Sequence, residues 1–446
     1  MPSETKQDVY AVLRDRIATR EAIVGVVGLG YVGLPLAVEH ARAGFSVVGL
    51  DDNSAKVDKV RSGQNYIPDV DDRMLQDLVR EGRLTATSDY RDLTAADVII
   101  ICVPTPLTDN KEPDLSYIIQ VANRIRTIMR PGQLIVLEST TYPGTTEEVL
   151  EPILETSGLT LGTDFFLAFS PERVDPGRED FKTQNTPKLI GGVTARCQEV
   201  ATLLYRQSIA AVIPVSSPKI AEMSKVFENT YRAVNIALVN ELALLCDRMG
   251  INVWEVLDAA ATKPFGIQIF HPGPGVGGHC IPLDPFYLSW KAKEYDFSTR
   301  FIELAGEINL SMPYVVVDRV ARALNDQGVA LKGARILVMG VAYKEDINDE
   351  RESPALKVFE LLEARGAQVV YYDPYVPQVK PHSFFAREIH SVALTDDLVQ
   401  SQDCVVITTG HKVIDYDHLV DLAPLVVDTR NATRNVREGR EKIHLL

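Results

Sequence analysis

A chain of 446 residues exceeds what one ordinary hydrophobic core holds, so two or three domains are expected. Hydrophobic residues at 46% and charged residues at 24% are ordinary for a globular protein, and a net charge of −15 argues against a nucleic-acid or anionic-membrane partner. The longest apolar runs, such as Asp97 to Val103, are strand-length and far below a membrane span.

Residues 1–21 are charged and helical in pattern, with no apolar signal core, and read as an N-terminal helical extension. Residues 22–35 then read AIVGVVGLGYVGLP. A β-branched run ends in Gly28-x-Gly30-x-x-Gly33, and an amphipathic helix follows from Leu34 to Ala43, closed by Gly44. Phe45 to Asp51 makes a second strand ending in an acid. A GxGxxG alone is weak. Between a strand and a helix, with Asp51 at the spacing of a ribose-binding acid, it predicts a dinucleotide site. Gly28, Gly30, Tyr31, Val32 and Gly33 would place the pyrophosphate at the helix N-terminus. Asp51 would accept from the ribose and repel a 2′-phosphate, which favours NAD over NADP.

Further buried strands run from Asp97 to Val103, Gly132 to Glu138 and Phe165 to Phe169. They lead into Pro104-Thr-Pro106, Ser139-Thr-Thr141 and Ser170-Pro-Glu-Arg-Val174. Ligands bind at the carboxyl edge of such sheets, so Thr105, Thr140 and Glu172 are candidates to face a nicotinamide or substrate. Ordinary caps and turn residues are the alternative.

Lys219 to Met249 contains neither Pro nor Gly, and Gly250 supplies a C-cap. Such a helix spans about 45 Å. Lys225 and Asn229 share one of its faces, as a solvated stripe or as a donor pair aimed at a cleft. The stretch Gly273 to Asp284 reads GPGVGGHCIPLD, four glycines leading to Cys280 and Asp284. Glycine lets a ligand lie against the main chain, so Cys280 is either a nucleophile or a small buried apolar residue. His279 beside it does not make a zinc site, which takes three or four ligands, and no metal is expected. The five cysteines, Cys102, Cys197, Cys246, Cys280 and Cys404, are scattered without a CxxC pair. That fits a reducing cytoplasm.

Helical character resumes from Pro285 to Lys293 and from Arg300 to Leu324. Strands are then predicted at Ala334 to Gly340, Gln368 to Asp373, Asp403 to Thr409 and Leu425 to Asp428, with a helix begun by Ser353-Pro354 and stopped by Gly366. This half repeats the βαβ plan without the glycine fingerprint. Lys344, Arg351 and Arg430 stand at its strand ends, where they could hold phosphate or carboxylate. The predicted fold is α/β: two Rossmann-like doubly wound domains joined by a long central helix and a helical middle domain. The expected boundaries are 22–213 for NAD binding, 214–325 for the helical middle with the Cys280 loop, and 326–446 for the second α/β domain.

Three separated patches, GLGYVGLP, KVFENTY and GGHCIPLD, with Lys344 and the RESP segment Arg351 to Pro354 as a fourth, carry a resemblance. From about Ile23 to Asn431 the chain resembles the UDP-glucose/GDP-mannose dehydrogenases. Lys263 to Gly266, His271 to Trp290 and Asn309 to Pro313 look most like the bacterial UDP-N-acetylglucosamine 6-dehydrogenases of surface-polysaccharide pathways. The resemblance implies an NAD-dependent four-electron oxidation of a UDP-sugar's 6-hydroxymethyl group. It casts Cys280 as the nucleophile that holds first a thiohemiacetal and then a thioester. Lys225 and Asn229 match the oxyanion-stabilising pair, and Asp284 with Thr140 matches the groups that position a water. Glu172 matches an acid beside the sugar. Arg173, Val174, His271, Gly275, Gly277, Lys344 and Arg430 join Glu172, Lys225 and Asn229 on the substrate side. Lys56, Val103, Thr105, Thr140 and Arg351 match cofactor-side positions. The glucose branch carries a second acid four residues after Glu172; here Pro176 stands there, beside Asp175. A homodimer or higher homo-oligomer is expected, with the long helix in its interface. Two rivals remain: a two-electron dehydrogenase with a structural Cys280, and a silent NAD-binding regulator.

Overall fold

A computed structural model describes residues 8–108, 110, 112–173, 180–278, 281–381 and 386–446. It has two compact units. The first runs to Glu228 and takes in Trp290–Asp296; the second comprises Asn229–Ser289 and Phe297–Leu446.

The first unit is built on eight strands: β1 (Ile23–Val27), β2 (Ser46–Leu50), β3 (Leu84–Thr87), β4 (Val98–Ile101), β5 (Gln133–Leu137), β6 (Phe165–Phe169), β7 (Lys188–Gly192) and β8 (Val212–Val215). Their order is β3-β2-β1-β4-β5-β6-β7-β8. Every pairing is parallel except β6 with β7. β4, β5 and β6 are buried along their whole length, as their unbroken apolar runs require of strands covered on both faces. One core, with Val24, Val26, Leu34, Val98 and Phe166, packs one face of the sheet. Another, with Val27, Ile99, Ile135, Leu150, Phe165 and Leu167, packs the other. Phe165 and Phe166 therefore feed opposite cores from neighbouring positions, as the two-residue period of a strand requires.

The second unit carries β9 (Arg335–Met339), β10 (Gln368–Tyr372), the short antiparallel pair β11 (Gln378–Val379) and β12 (Ile389–His390), then β13 (Cys404–Ile407), β14 (Val426–Asp428) and β15 (Ile443–Leu445). Its main sheet is parallel, in the order β10-β9-β13-β14-β15. Ser353 caps the helix Pro354–Ala364, its Oγ accepting from the Ala355 N–H at 3.3 Å, with Pro354 in the first turn. The long helix is Pro218–Met249, 32 residues, and Gly250 follows it at φ +69°. The helix Arg300–Asp326 keeps Pro313 in its interior. Sequence patterns predicted β1, β2, β4, β5, β6, β9, β10, β13 and β14 to within a residue or two, and did not predict β3, β7, β8, β11, β12 or β15. A strand buried on both faces has the same apolar pattern whether it runs parallel or antiparallel, so the reversal of β7 against β6 comes from the structure alone. Among the described residues, no helix is long and apolar enough to cross a membrane.

Candidate active site

The three fingerprint glycines do three different things. Gly28 has φ +94°, and its N–H donates to the Leu50 carbonyl at 2.7 Å. A Cβ there would lie 2.4 Å from the Cys102 carbonyl oxygen, and one at Gly33 would lie 1.8 Å from that of Gly28. Gly30 faces open space, with nothing within 4 Å of its would-be Cβ. This is a turn closed on the protein side and open on the ligand side, and it leads into the helix Gly33–Arg42. Val32 is the N-cap residue of that helix, and Tyr31 is 39% exposed beside it.

Asp51 is buried just past β2. Its Oδ2 accepts from the Leu29 N–H at 2.9 Å and from Lys56 Nζ at 3.1 Å, and its Oδ1 accepts from the Asn53 N–H at 2.9 Å. The acid therefore braces the glycine turn from below, with a half-exposed lysine on its open side. The loops after β4 and β5 are tied together at the same sheet edge. The Val103 N–H donates to Ser139 Oγ at 3.0 Å, and Thr105 Oγ1 donates to the Thr140 carbonyl at 2.5 Å. The residues present fit NAD: a glycine cradle, a helix N-terminus and a buried carboxylate just past β2.

Lys225 and Asn229 are buried, at 6% and 0% exposure, so the solvated-stripe alternative fails. They lie on a polar line of the long helix that also holds Glu222 and Asn240, both fully buried. Glu222, in the first unit, accepts from the N–H groups of Gly144 and Thr146 at 2.5 and 2.9 Å and from Thr146 Oγ1 at 2.7 Å. It thereby fixes the turn that follows Thr140. Asn229, in the second unit, donates through Nδ2 to Asp284 Oδ2 at 2.5 Å and accepts from Arg232 on Oδ1. Asp284 is 1% exposed and opens the helix Asp284–Ala292. Structure thus joins two residues that sequence holds 55 positions apart. Cys280 lies outside the described residues, as do His279, Val174 and Pro176.

Glu172 follows β6, and its Oε1 accepts from the Arg173 N–H at 2.8 Å. The Arg173 guanidinium forks onto Glu228 at 2.6 and 3.3 Å and donates to the Pro187 carbonyl at 2.8 Å. In the second unit, His271 stacks on Trp254 with ring centroids 5.7 Å apart. The glycine loop behind it lies against the carboxyl edge of the second sheet. A Cβ on Gly273 would stand 2.5 Å from an Arg430 guanidinium nitrogen, and one on Gly277 would stand 2.7 Å from the Tyr343 Cβ. Gly275 has φ +130° and faces Pro354. The Gly273 N–H donates to Asn240 Oδ1 at 3.0 Å, and Asn240 Nδ2 donates to Asn309 Oδ1 at 3.0 Å.

Arg430 Nε donates to the Thr408 carbonyl at 3.1 Å. Burial lowers its pKa to about 10, against the opposing pull of Asp428 and Glu345. Lys344 is half-buried in the loop after β9. Arg351 forks onto Asp349 at 2.8 and 2.6 Å. Sequence reading missed Glu222 and Asn240. Their signal was a polar residue in line with Lys225 and Asn229 at helical spacing on an otherwise apolar face.

Comparison with known proteins accounts for this arrangement. The NAD-binding domain profile of the UDP-glucose/GDP-mannose dehydrogenase family matches residues 22–209, its central domain residues 219–311, and its UDP-binding domain residues 337–435. A UDP-N-acetyl-D-mannosamine dehydrogenase of Pyrococcus horikoshii is 40% identical over 390 residues, covering 87% of this chain and 89% of that one. A UDP-N-acetyl-D-glucosamine 6-dehydrogenase of Pseudomonas aeruginosa is 39% identical over 355 residues, 79% and 83% of the two chains. The solved structure of the UDP-D-ManNAc dehydrogenase from P. horikoshii superposes with a TM-score of 0.85 at 35% identity, over 95% of this chain and 98% of that one. With all three domains matched in order, the chain belongs to the UDP-glucose/GDP-mannose dehydrogenase family and is an NAD-dependent UDP-sugar dehydrogenase.

Proposed function

We propose that the protein oxidises the 6-hydroxymethyl group of a UDP-N-acetylhexosamine to the carboxylate, with UDP-N-acetylglucosamine as its substrate. The observation that carries the chemistry is the buried Asn229–Asp284 pair, because Asp284 stands four residues after Cys280. Bound NAD supplies the hydride acceptor for each two-electron oxidation. Cys280 adds as thiolate to the aldehyde carbon, giving a thiohemiacetal whose oxyanion Lys225 and the second N–H of Asn229 Nδ2 stabilise. The second oxidation leaves a thioester. Asp284 and Thr140 position the water that adds to its carbon, and the sulfur departs as thiolate with the acid released. Arg430, Lys344, His271, Gly275 and Gly277 hold the sugar nucleotide, and Glu172 with Arg173 and Val174 lines the sugar. Val103, Thr105 and Arg351 serve the cofactor side.

The N-acetyl preference draws on relatives named for both the glucosamine and the mannosamine sugars, and the mannosamine epimer is the second reading. The protein works as a homodimer. Ile220, Met223, Phe227, Tyr231, Leu238, Leu245 and Met249 are exposed and recur at spacings of three, four and seven, a single apolar stripe along the long helix. The test is NADH release on a panel of UDP-sugars, with NADH counted per uronic acid. Two NADH per acid on a UDP-N-acetylhexosamine, and no acid from Cys280→Ala, are expected. One NADH per product would establish the two-electron rival, and a higher kcat/KM on UDP-glucose would overturn the substrate. Sedimentation as a monomer at micromolar concentration would reject the dimer.

A further inference from the structure

A buried charged row at the carboxyl edge of the first sheet holds two residues, Lys188 and Glu138, that have no task in the mechanism above. Lys188 opens β7. Its Nζ donates to Glu138 Oε2 at 2.9 Å and lies 3.5 Å from Glu172 Oε2. Glu138 directly precedes Ser139 and Thr140, and its other oxygen accepts from the hydroxyl of Tyr205, on the helix Ala195–Arg206. The Lys188 and Glu138 side chains are 5% and 0% exposed, whereas that of Glu172 is 14% exposed. The row therefore runs from a closed end at Tyr205 to an open end at Glu172.

We propose that Lys188 is a positioning residue that holds Glu172 ionised, so that Glu172 enters the reaction as a proton acceptor. The inference rests on the reading that Glu172 lies beside the sugar. An ammonium this deep must have carboxylate partners, since burial alone drives it towards the neutral form. Here burial lowers the Lys188 pKa, but Glu138 and Glu172 outweigh it, and the amine stays charged. One ammonium serves two carboxylates: the deeper takes the shorter contact, and the more exposed one stands at the open end of the row. An ionised carboxylate has no proton to give. It accepts the proton released when the substrate hydroxyl or a water is deprotonated, and returns it to solvent from its exposed edge.

Four other described titratable groups near the row are neutral or paired elsewhere. Cys102, after β4, and Tyr205 are buried and pushed up by burial. His40, on the helix Gly33–Arg42, is lowered to about 3 by burial with help from Lys188. The Arg173 guanidinium is held by Glu228.

The experiment is the pH profile of kcat for the full-length enzyme. Lys188→Met should move the acidic limb up by at least one pH unit, with the rate recovering towards wild type at high pH. Lys188→Arg should restore the limb, and Glu138→Gln should move it down, because Lys188 then serves Glu172 alone. Should Lys188→Met not fold, the double variant with Glu138→Gln leaves no unpaired charge at the closed end and carries a smaller upward shift, because the ammonium at 3.5 Å is lost together with the more distant carboxylate. A variant slowed uniformly at every pH, with its limb unmoved, would make Lys188 merely structural and overturn the proposal. Glu172→Gln separates the two levels: wild-type rate and limb in that variant would overturn the reading of Glu172 itself, and the proposal with it.

Discussion

Gly30→Ala should weaken NAD binding without weakening the protein. No atom lies within 4 Å of the point a Cβ would occupy at Gly30, and its φ is not in the left-handed region. Alanine therefore meets no clash in the fold, and by restricting the unfolded chain it adds about 0.4–1 kcal/mol of stability. The same methyl stands where the middle glycine lets the pyrophosphate approach the main chain. Pushing a charged oxygen off one backbone N–H costs about 1.5–3 kcal/mol, or roughly a 10- to 150-fold loss in affinity. NAD titration by calorimetry reads the affinity, and urea unfolding without NAD reads the stability. Gly33→Ala is the contrast. Its Cβ would lie 1.8 Å from the Gly28 carbonyl oxygen, so fold and binding should fail together. A Gly30→Ala protein that binds NAD as tightly as wild type would refute the cradle, and one that is clearly less stable would refute the open space.

Asp51→Asn should raise kcat/KM with NADP relative to NAD by roughly tenfold or more, because Lys56, now 3.1 Å from Asp51 Oδ2, is released to meet a 2′-phosphate. An unchanged ratio counts against Asp51 as the selector. Gly273→Ala should raise KM for the UDP-sugar and leave NAD affinity alone, since its Cβ would stand 2.5 Å from the Arg430 guanidinium and displace a flexible side chain rather than backbone. Unaltered KM would remove Arg430 from the substrate site. His40 is held neutral in the fold, with its pKa lowered to about 3 by burial. A depressed histidine contributes stability that is present above the unfolded pKa near 6.5 and is lost as pH falls towards 3. Between pH 7 and pH 5 the loss is roughly 2 kcal/mol. His40→Phe should shrink the stability gap between those pH values by that amount in urea unfolding, and an undiminished gap would refute it.

The parts of the site legible in sequence are those whose chemistry is local. Gly28, Gly30 and Gly33 act within one turn, and Asp51 follows at the end of the next strand, so spacing alone carried the argument. Lys225 and Asn229 were visible as a pair, but whether that face met water or protein depends on what packs against it. Only the structure supplies that, through the burial of both and the contact of Asn229 with Asp284. Lys188 was invisible for the same reason. It reads as an ordinary charged residue at the start of a strand, and its meaning comes from Glu138, 50 positions away. Long-range polar contacts leave no periodicity, so a single sequence records their members and not their pairing.

The second α/β unit shows what the acid after the second strand is for. Gly28 donates to the Leu50 carbonyl at 2.7 Å while Asp51 receives the Leu29 N–H; Gly340 donates to the Tyr372 carbonyl at 2.8 Å while Asp373 receives the Val341 N–H at 2.7 Å. Gly340 also has positive φ, +82° against +94°. The glycine and the acid thus close the same turn in both units, and this bracing does not need a bound nucleotide. It explains why the acid persists where the rest of the fingerprint is gone. What differs is the capacity left over. Asp373 also receives the N–H groups of Ala342, Tyr375 and Val376, and His411 Nε2 at 3.1 Å. The Asp346 N–H donates to His411 Nδ1, which fixes the proton on Nε2. Burial pushes Asp373 up, but His411 and the backbone donors outweigh it and hold the carboxyl below its ordinary range. Five donors exhaust the roughly four lone-pair sites of a carboxylate. Asp51 has two backbone donors and one half-exposed lysine that can move aside, so it keeps room for a ribose. Asp373 keeps none for a further donor.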